Sequence, residues 1–134
     1  MKKVVILGGG VGGTIVANLL AKKFRPDEVE ITLVDKTGKH VYQPGFVYVA
    51  FGRTKPKSLV REERKLLRKR VRLVIGEAVR IDPEGRKVHL ADGGALGYDR
   101  LVVALGARLV PDELPGYREA AHHFYSLEAS LRLR

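Results

Sequence analysis

The chain has 134 residues, 45% of them apolar, with 25 Lys and Arg against 15 Asp and Glu for a formal charge of +10. That length suits one domain large enough to bury a core of its own. The absence of cysteine excludes disulfides, thiolate zinc sites and thiol nucleophiles, and no apolar run approaches the ~20 residues of a membrane span.

Met1-Lys2-Lys3 has the charge of a signal-peptide start. The apolar run after it, however, ends in glycines and continues as a patterned helix without a cleavage-type tail, so a cytoplasmic protein is expected. One Asn and one Gln beside many Arg and Glu suggest a thermophilic source.

Lys3 to Leu7 is a short apolar run closed by glycine and reads as a strand buried on both faces, as in a parallel sheet. From Gly12 the period changes to that of a helix, with Ile15, Val16, Leu19, Leu20 and Phe24 on one face and Pro26 as its stop. Val29 to Val34 is a second strand, followed by Asp35. Strand, helix and strand make one βαβ unit. Lys36 to Lys57 is a long irregular segment carrying Val41, Tyr42, Phe46, Val47, Tyr48, Val49 and Phe51. It is too apolar for a solvent loop, so it should cover either the core or a flat ligand.

The run Arg61–Arg72, REERKLLRKRVR, predicts a helix over about 58–70 with a stripe of Leu59, Val60, Glu63, Leu66 and Leu67. Lys69 and Arg70 would suit the C-terminal end of its dipole. A solvated face accounts for the remaining charges. Nucleic acid or an anionic membrane surface could also answer them, but no basic stretch interleaved with aromatics supports nucleic acid.

Val71 to Ile75 reads as a third core strand. Glu77–Asp82 and Arg86–Leu90 flank a Pro-Glu-Gly turn as a hairpin, and Asp92-Gly93-Gly94 marks another turn. Leu101 to Gly106 is a second fully apolar strand ending in glycine, and Ser126 caps a short final helix.

Gly8, Gly10 and Gly13 satisfy G-x-G-x-x-G between a strand and a helix. The first glycine permits the tight turn, the second the approach of a pyrophosphate to the backbone, and the third close helix–sheet packing. The helix N-terminus supplies free N–H groups. Asp35 lies 22 residues beyond Gly13 (35 − 13), near the ~20 expected of a ribose-binding acid; as a turn residue it would need no ligand. An acid there fits a plain ribose, hence FAD or NAD rather than NADP.

The order βαβ, β-meander, strand resembles the N-terminal part of the two-dinucleotide-domain flavoproteins, nearest to sulfide:quinone oxidoreductases and then type II NADH dehydrogenases. The resemblance is carried by KKVVILGGGVGGTIVANLLAKKF, ITLVDK, YQPGFVYVAFGR and GYDRLVVALGARLVP. It implies a Rossmann-like α/β fold in which residues 1–134 form part of an FAD-binding domain, without the family's second dinucleotide domain.

It also implies that Gly8, Gly10, Val11, Gly12 and Gly13 wrap the FAD pyrophosphate and that Asp35 holds the adenosine ribose, with Lys36 beside it. Val79 would offer backbone to adenine, Pro44 would approach the isoalloxazine, and Ala104 and Gly106 would meet the flavin nucleotide. Two departures stand out. Leu105 replaces the threonine of the family's A-T-G motif. The cysteine that some sulfide-oxidising members carry near His122–Ser126 is absent.

The implied activity is a flavin-dependent oxidoreductase passing electrons from sulfide, a thiol or NADH to quinone or another acceptor, with the catalytic partners outside this chain. The alternative is a stand-alone nucleotide-binding module. Expected partners are the dinucleotide and either a second copy or a missing C-terminal part; membrane contact belongs to full-length relatives. His122 and His123 are adjacent, a spacing that rarely converges on a metal. His40 lies in the apolar loop, where a ligand-facing place and a turn role are both open.

Overall fold

The computed structural model describes all of residues 1–134. In chain order they form β1 (Lys2–Leu7), α1 (Val11–Lys23), β2 (Val29–Asp35), β3 (Lys39–Val41), α2 (Phe46–Ala50), β4 (Val60–Glu62) and α3 (Glu63–Leu66). There follow β5 (Arg72–Ile75), β6 (Ala78–Asp82), β7 (Lys87–Leu90), β8 (Ala95–Gly97), β9 (Arg100–Val103), α4 (Tyr117–Ala120) and α5 (Leu127–Arg132). They fall into two compact units, Met1–His40 with Glu62–Gly106, and Val41–Arg61 with Ala107–Arg134.

The first unit is built on a parallel sheet of order β5-β2-β1-β9. β1 pairs with β2 from Lys2↔Val29 to Leu7↔Val34, and with β9 from Val4↔Arg100 to Leu7↔Val103. Alternation along β1 sorts its side chains. Val4 and Ile6 join Ala17, Ala21, Ile31, Leu33, Leu67 and Val71 on the α1 side. Val5 and Leu7 join Val34, Val88 and Leu90 on the other, under the antiparallel meander β6-β7-β8. The α/β class and the parallel sheet expected from the sequence are therefore present.

Three expectations change. The fully buried face of α1 is Gly13, Thr14, Ala17 and Ala21; of the expected face, Val16, Leu20 and Phe24 pack partly buried against the core, whereas Ile15 and Leu19 are 51% and 60% exposed. Small residues let the helix lie close to the sheet, and that closeness outweighs the larger transfer energy of Ile and Leu. The apolar strand before Gly106 is an edge strand, and its Val103 is exposed.

The long arginine-rich helix does not form. Its span holds a 3-10 turn (Pro56–Leu59), β4 and the four-residue α3. Glu63 is pulled to zero exposure, and Arg64 donates to the carbonyls of Leu67, Arg68 and Val71, closing a turn where helix bonds were expected. The lone Asn18 ties α1 to this turn: its Nδ2 donates to Leu66 O and its Oδ1 accepts from Arg68 N, both at 2.8 Å. Arg70 does meet a helix C-terminus, but that of α1. Its guanidinium donates to the carbonyls of Ala21, Phe24, Arg25 and Val29.

In the second unit the apolar loop proves to cover a small core. Phe46, Val49 and Leu59 are buried together, with Val41 and Leu127 against them, while Tyr42, Tyr48 and Phe51 stay exposed. Ser126 caps α5 by accepting from Ala129 N, as its sequence position suggests. No helix is long and apolar enough to cross a membrane.

Arg70→Met keeps the aliphatic stem and removes the donors to four carbonyls. It is expected to lower stability by about 2 kcal/mol, read as a shift in the urea midpoint at constant slope.

Candidate functional site

The chain leaves β1 at Leu7 and enters α1 at Val11, and the turn between is glycine throughout. Gly8 adopts φ +99°, which favours glycine. A side chain there would run into the Ala104 carbonyl, and its N–H donates to Val34 O at 2.8 Å. Gly13 faces inward, and a Cβ on it would collide with Gly8 O. Gly8 and Gly13 thus serve the fold. Gly10 differs: a Cβ on it would meet nothing within 4 Å. Gly12 likewise would meet only the Ala104 Cβ, at 3.8 Å. The space over Gly10, Val11 and Gly12 is therefore open to a ligand, at a helix N-terminus whose first turn carries no acidic residue. Phosphate oxygens fit that donor set.

Asp35 ends β2 beside this turn. Its Oδ2 accepts from Gly9 N at 2.9 Å, and its Oδ1 accepts from Thr37 N at 2.9 Å, Gly38 N at 2.6 Å and Thr37 Oγ1 at 3.2 Å. Partial burial pushes the carboxyl up, but these hydrogen bonds to the ionised form together outweigh it. The net effect holds Asp35 below the ordinary aspartate range. Its Oδ2 has one protein donor, so it retains accepting capacity for a hydroxyl. The Asx-type turn and the acceptor role anticipated for Asp35 are thus compatible.

The other residues named from the sequence are spread more widely. Ala104 adjoins the turn, with its N–H on Leu7 O at 2.8 Å. Gly106 has φ +76° and open surroundings. Lys36 is exposed and forms an ion pair with Glu77 at 3.0 Å. Val79 lies exposed on β6. Pro44 lies exposed in a 3-10 turn of the second unit. In that unit, His122 and His123 line a cleft of about 590 Å³ with Arg118 and Arg132.

Sequence reasoning overlooked a polar cluster beneath the glycine turn. Thr14 Oγ1 donates to Glu63 Oε1 at 2.6 Å and lies 2.8 Å from Gly10 O. His40 Nδ1 stands 3.1 Å from Glu63 Oε2 and 3.0 Å from Gly9 O. The only signal was Glu63 itself, a charged residue on an otherwise apolar stripe.

A parallel sheet with a βαβ unit, a glycine turn open at a helix N-terminus and an acid at the end of β2 together define a Rossmann-like dinucleotide-binding domain. More narrowly, the chain belongs to the pyridine nucleotide-disulphide oxidoreductase family, whose profile matches residues 2–134.

It is 35% identical over 117 residues to the mitochondrial sulfide:quinone oxidoreductase of Dictyostelium discoideum, covering 87% of this chain and 26% of that one. It is 37% identical over 111 residues to a type II NADH:quinone oxidoreductase of Mycobacterium tuberculosis, covering 79% and 23%. Among solved structures, the sulfide:quinone oxidoreductase of the hyperthermophilic bacterium Aquifex aeolicus superposes with a TM-score of 0.83 at 29% identity, over 99% of this chain and 30% of that one. The chain thus spans about a quarter to a third of the length of these relatives. They are FAD-dependent oxidoreductases, and the fold shared with them is an FAD-binding module.

Because the folded Asp35 pKa lies below the unfolded value of about 3.9, its contribution to stability is whole above that value. It is lost as pH falls through the folded pKa. Asp35→Asn should therefore show a stability deficit that is constant near neutral pH and shrinks in acid, measured by urea unfolding from pH 7 to 2.

Proposed function

We propose that this chain is the FAD-binding portion of a flavin-dependent oxidoreductase that passes electrons from sulfide, a thiol or NADH to quinone or another acceptor. The single observation that carries the reading is the open space over Gly10 at the start of α1, next to the carboxylate of Asp35. Family membership over residues 2–134 supports FAD as the occupant.

In this reading the backbone N–H groups of Gly10, Val11 and Gly12 take the pyrophosphate, with the positive pole of α1 behind them. Gly8 and Gly13 bring the helix close enough to do so. Asp35 Oδ2 accepts from the adenosine ribose. Lys36, at the rim, and the Val79 backbone border the adenine end. Ala104 and Gly106 belong to the flavin end. Bound FAD supplies the redox chemistry; this chain's residues supply binding and orientation. No cysteine is present among residues 1–134 to exchange with a sulfur substrate. Those residues form part of the FAD domain in this reading.

The purified protein should bind FAD, read as flavin visible absorption retained on gel filtration or as a change in flavin fluorescence on titration. Gly10→Ala places a methyl in the ligand's space and not against protein, so stability should move by less than about 0.5 kcal/mol. FAD affinity should fall at least about tenfold. Asp35→Ala should also weaken FAD. Unchanged affinity in Gly10→Ala would refute the site.

A further inference from the structure

Glu63 is an isolated carboxylate carried to zero exposure by the short α3. Burying it costs several kcal/mol unless hydrogen bonds compensate. Its partners are Thr14 and His40, and both reach the glycine turn. One Glu63 oxygen receives the Thr14 hydroxyl at 2.6 Å, and the other faces His40 Nδ1 at 3.1 Å. His40 Nδ1 also lies 3.0 Å from Gly9 O. A carboxylate oxygen and a carbonyl oxygen are both acceptors, so the ring proton sits on Nδ1 and points at them. Glu63 is itself held in register by its backbone N–H, which donates to Gly38 O at 2.8 Å, two residues before His40.

The consequence follows from the geometry of the peptide bond. In a planar trans peptide the C=O of one residue and the N–H of the next point in opposite directions. Gly9 O is drawn inward, to His40. The N–H of Gly10 is therefore turned outward, into the space left open above the turn. Gly10 O in turn accepts from Thr14 N at 3.0 Å, which turns Val11 N–H the same way. Glycines at 8, 9 and 10 have many backbone conformations available, and an unanchored turn of this kind would rarely hold both donors on one ligand.

We propose that His40, locked by the buried Glu63, is a positioning residue that fixes the Gly9–Gly10 peptide so that its N–H faces the dinucleotide pyrophosphate. The proposal rests on the reading of the glycine turn as the pyrophosphate site. It assigns the buried cluster a function beyond packing: His40 sets affinity for the phosphates, and Asp35 sets affinity for the ribose by an independent contact. Asparagine at position 40 can place an N–H close to where Nδ1 stands; leucine cannot.

The test compares ADP with adenosine, each titrated into the 15N-labelled full chain and followed by amide NMR shifts, in wild type, His40→Leu, His40→Asn and Glu63→Gln. His40→Leu should weaken ADP about tenfold and leave adenosine within about twofold, with the Gly10 amide shifted in the free protein. His40→Asn should restore most of the ADP affinity. Glu63→Gln keeps the shape of the side chain while offering an acceptor to only one of the two partners. It should fall between wild type and His40→Leu, and it carries the test if His40→Leu does not fold. Equal weakening of ADP and adenosine would show a purely structural cluster and overturn the proposal, as would His40→Leu or Glu63→Gln with unchanged ADP affinity. Wild-type protein that binds no ADP would instead refute the pyrophosphate site itself, and the clamp with it.

Discussion

The Gly8 carbonyl oxygen occupies the place where any side chain on Gly13 would begin. This contact sets the height of α1 above the sheet, and the rest of the first unit conforms to it. Ala17 and Ala21 follow Gly13 at four-residue intervals and continue the same narrow ridge, both buried against β1 and β2. With the backbones so close, small residues hold the centre of that face, and Val16, Leu20 and Phe24 pack partly buried against the same core. Ile15 and Leu19 are rotated to the outside although they are more apolar. The close approach also brings the helix N-terminus to the carboxyl ends of β1 and β2. Gly9 N then reaches Asp35, and the free N–H groups collect where a ligand can meet them.

The buried Glu63 has the same origin. A helix seated this low brings Thr14 under the turn, with its hydroxyl facing inward. An apolar residue opposite would leave the Thr14 hydroxyl with only the turn carbonyls, and the His40 N–H with only Gly9 O, in a dry place. A carboxylate between a hydroxyl and an imidazole N–H satisfies all of them, and no buried side-chain nitrogen or oxygen is left unpartnered. The surrounding basic residues divide by task. Arg64 and Arg70 each close several backbone carbonyls that no helix satisfies, and the exposed Arg61 donates to the carbonyls of Ser58 and Val60, while Arg68 and Lys69 remain in solvent. Part of the excess positive charge is thus structural material for an irregular segment.

The sequence was most legible where one physical signal dominated. β1, α1 and β2 follow from an apolar run, a change of period and a proline stop, and the meander from its turn residues. The glycine turn and Asp35 were found because spacing between a strand and a helix is local information. The misjudged parts share a cause, which is that tertiary contacts overrode periodicity. Over residues 58–70 the helical stripe counted Glu63 as one of its members. That residue is indeed buried, but it is held by Thr14 and His40, 49 and 23 residues away along the chain. On α1, periodicity placed Val16, Leu20 and Phe24 rightly against the core but took Ile15 and Leu19 with them, because the centre of the face is decided by a steric contact with Gly8. His40 carried too little local context for its partner to be inferred.

The site's economy lies in giving different glycines different work. Two of them exclude side chains from the interior and so fix the helix, while Gly10 excludes one from the exterior and so leaves room for a ligand. Permissive backbone alone would make a poor binding loop, because ordering it on binding consumes affinity. Here the order is supplied beforehand by side chains: Asp35 holds the Gly9 N–H, His40 holds the Gly9 carbonyl, and Glu63 holds His40. Each of these bonds lies within Met1–His40 and Glu62–Gly106. The preorganisation of the turn is therefore local, although the relatives that the chain matches are three to four times as long. In the proposed site the donors that would meet a phosphate are set by the protein's own side chains rather than by the ligand.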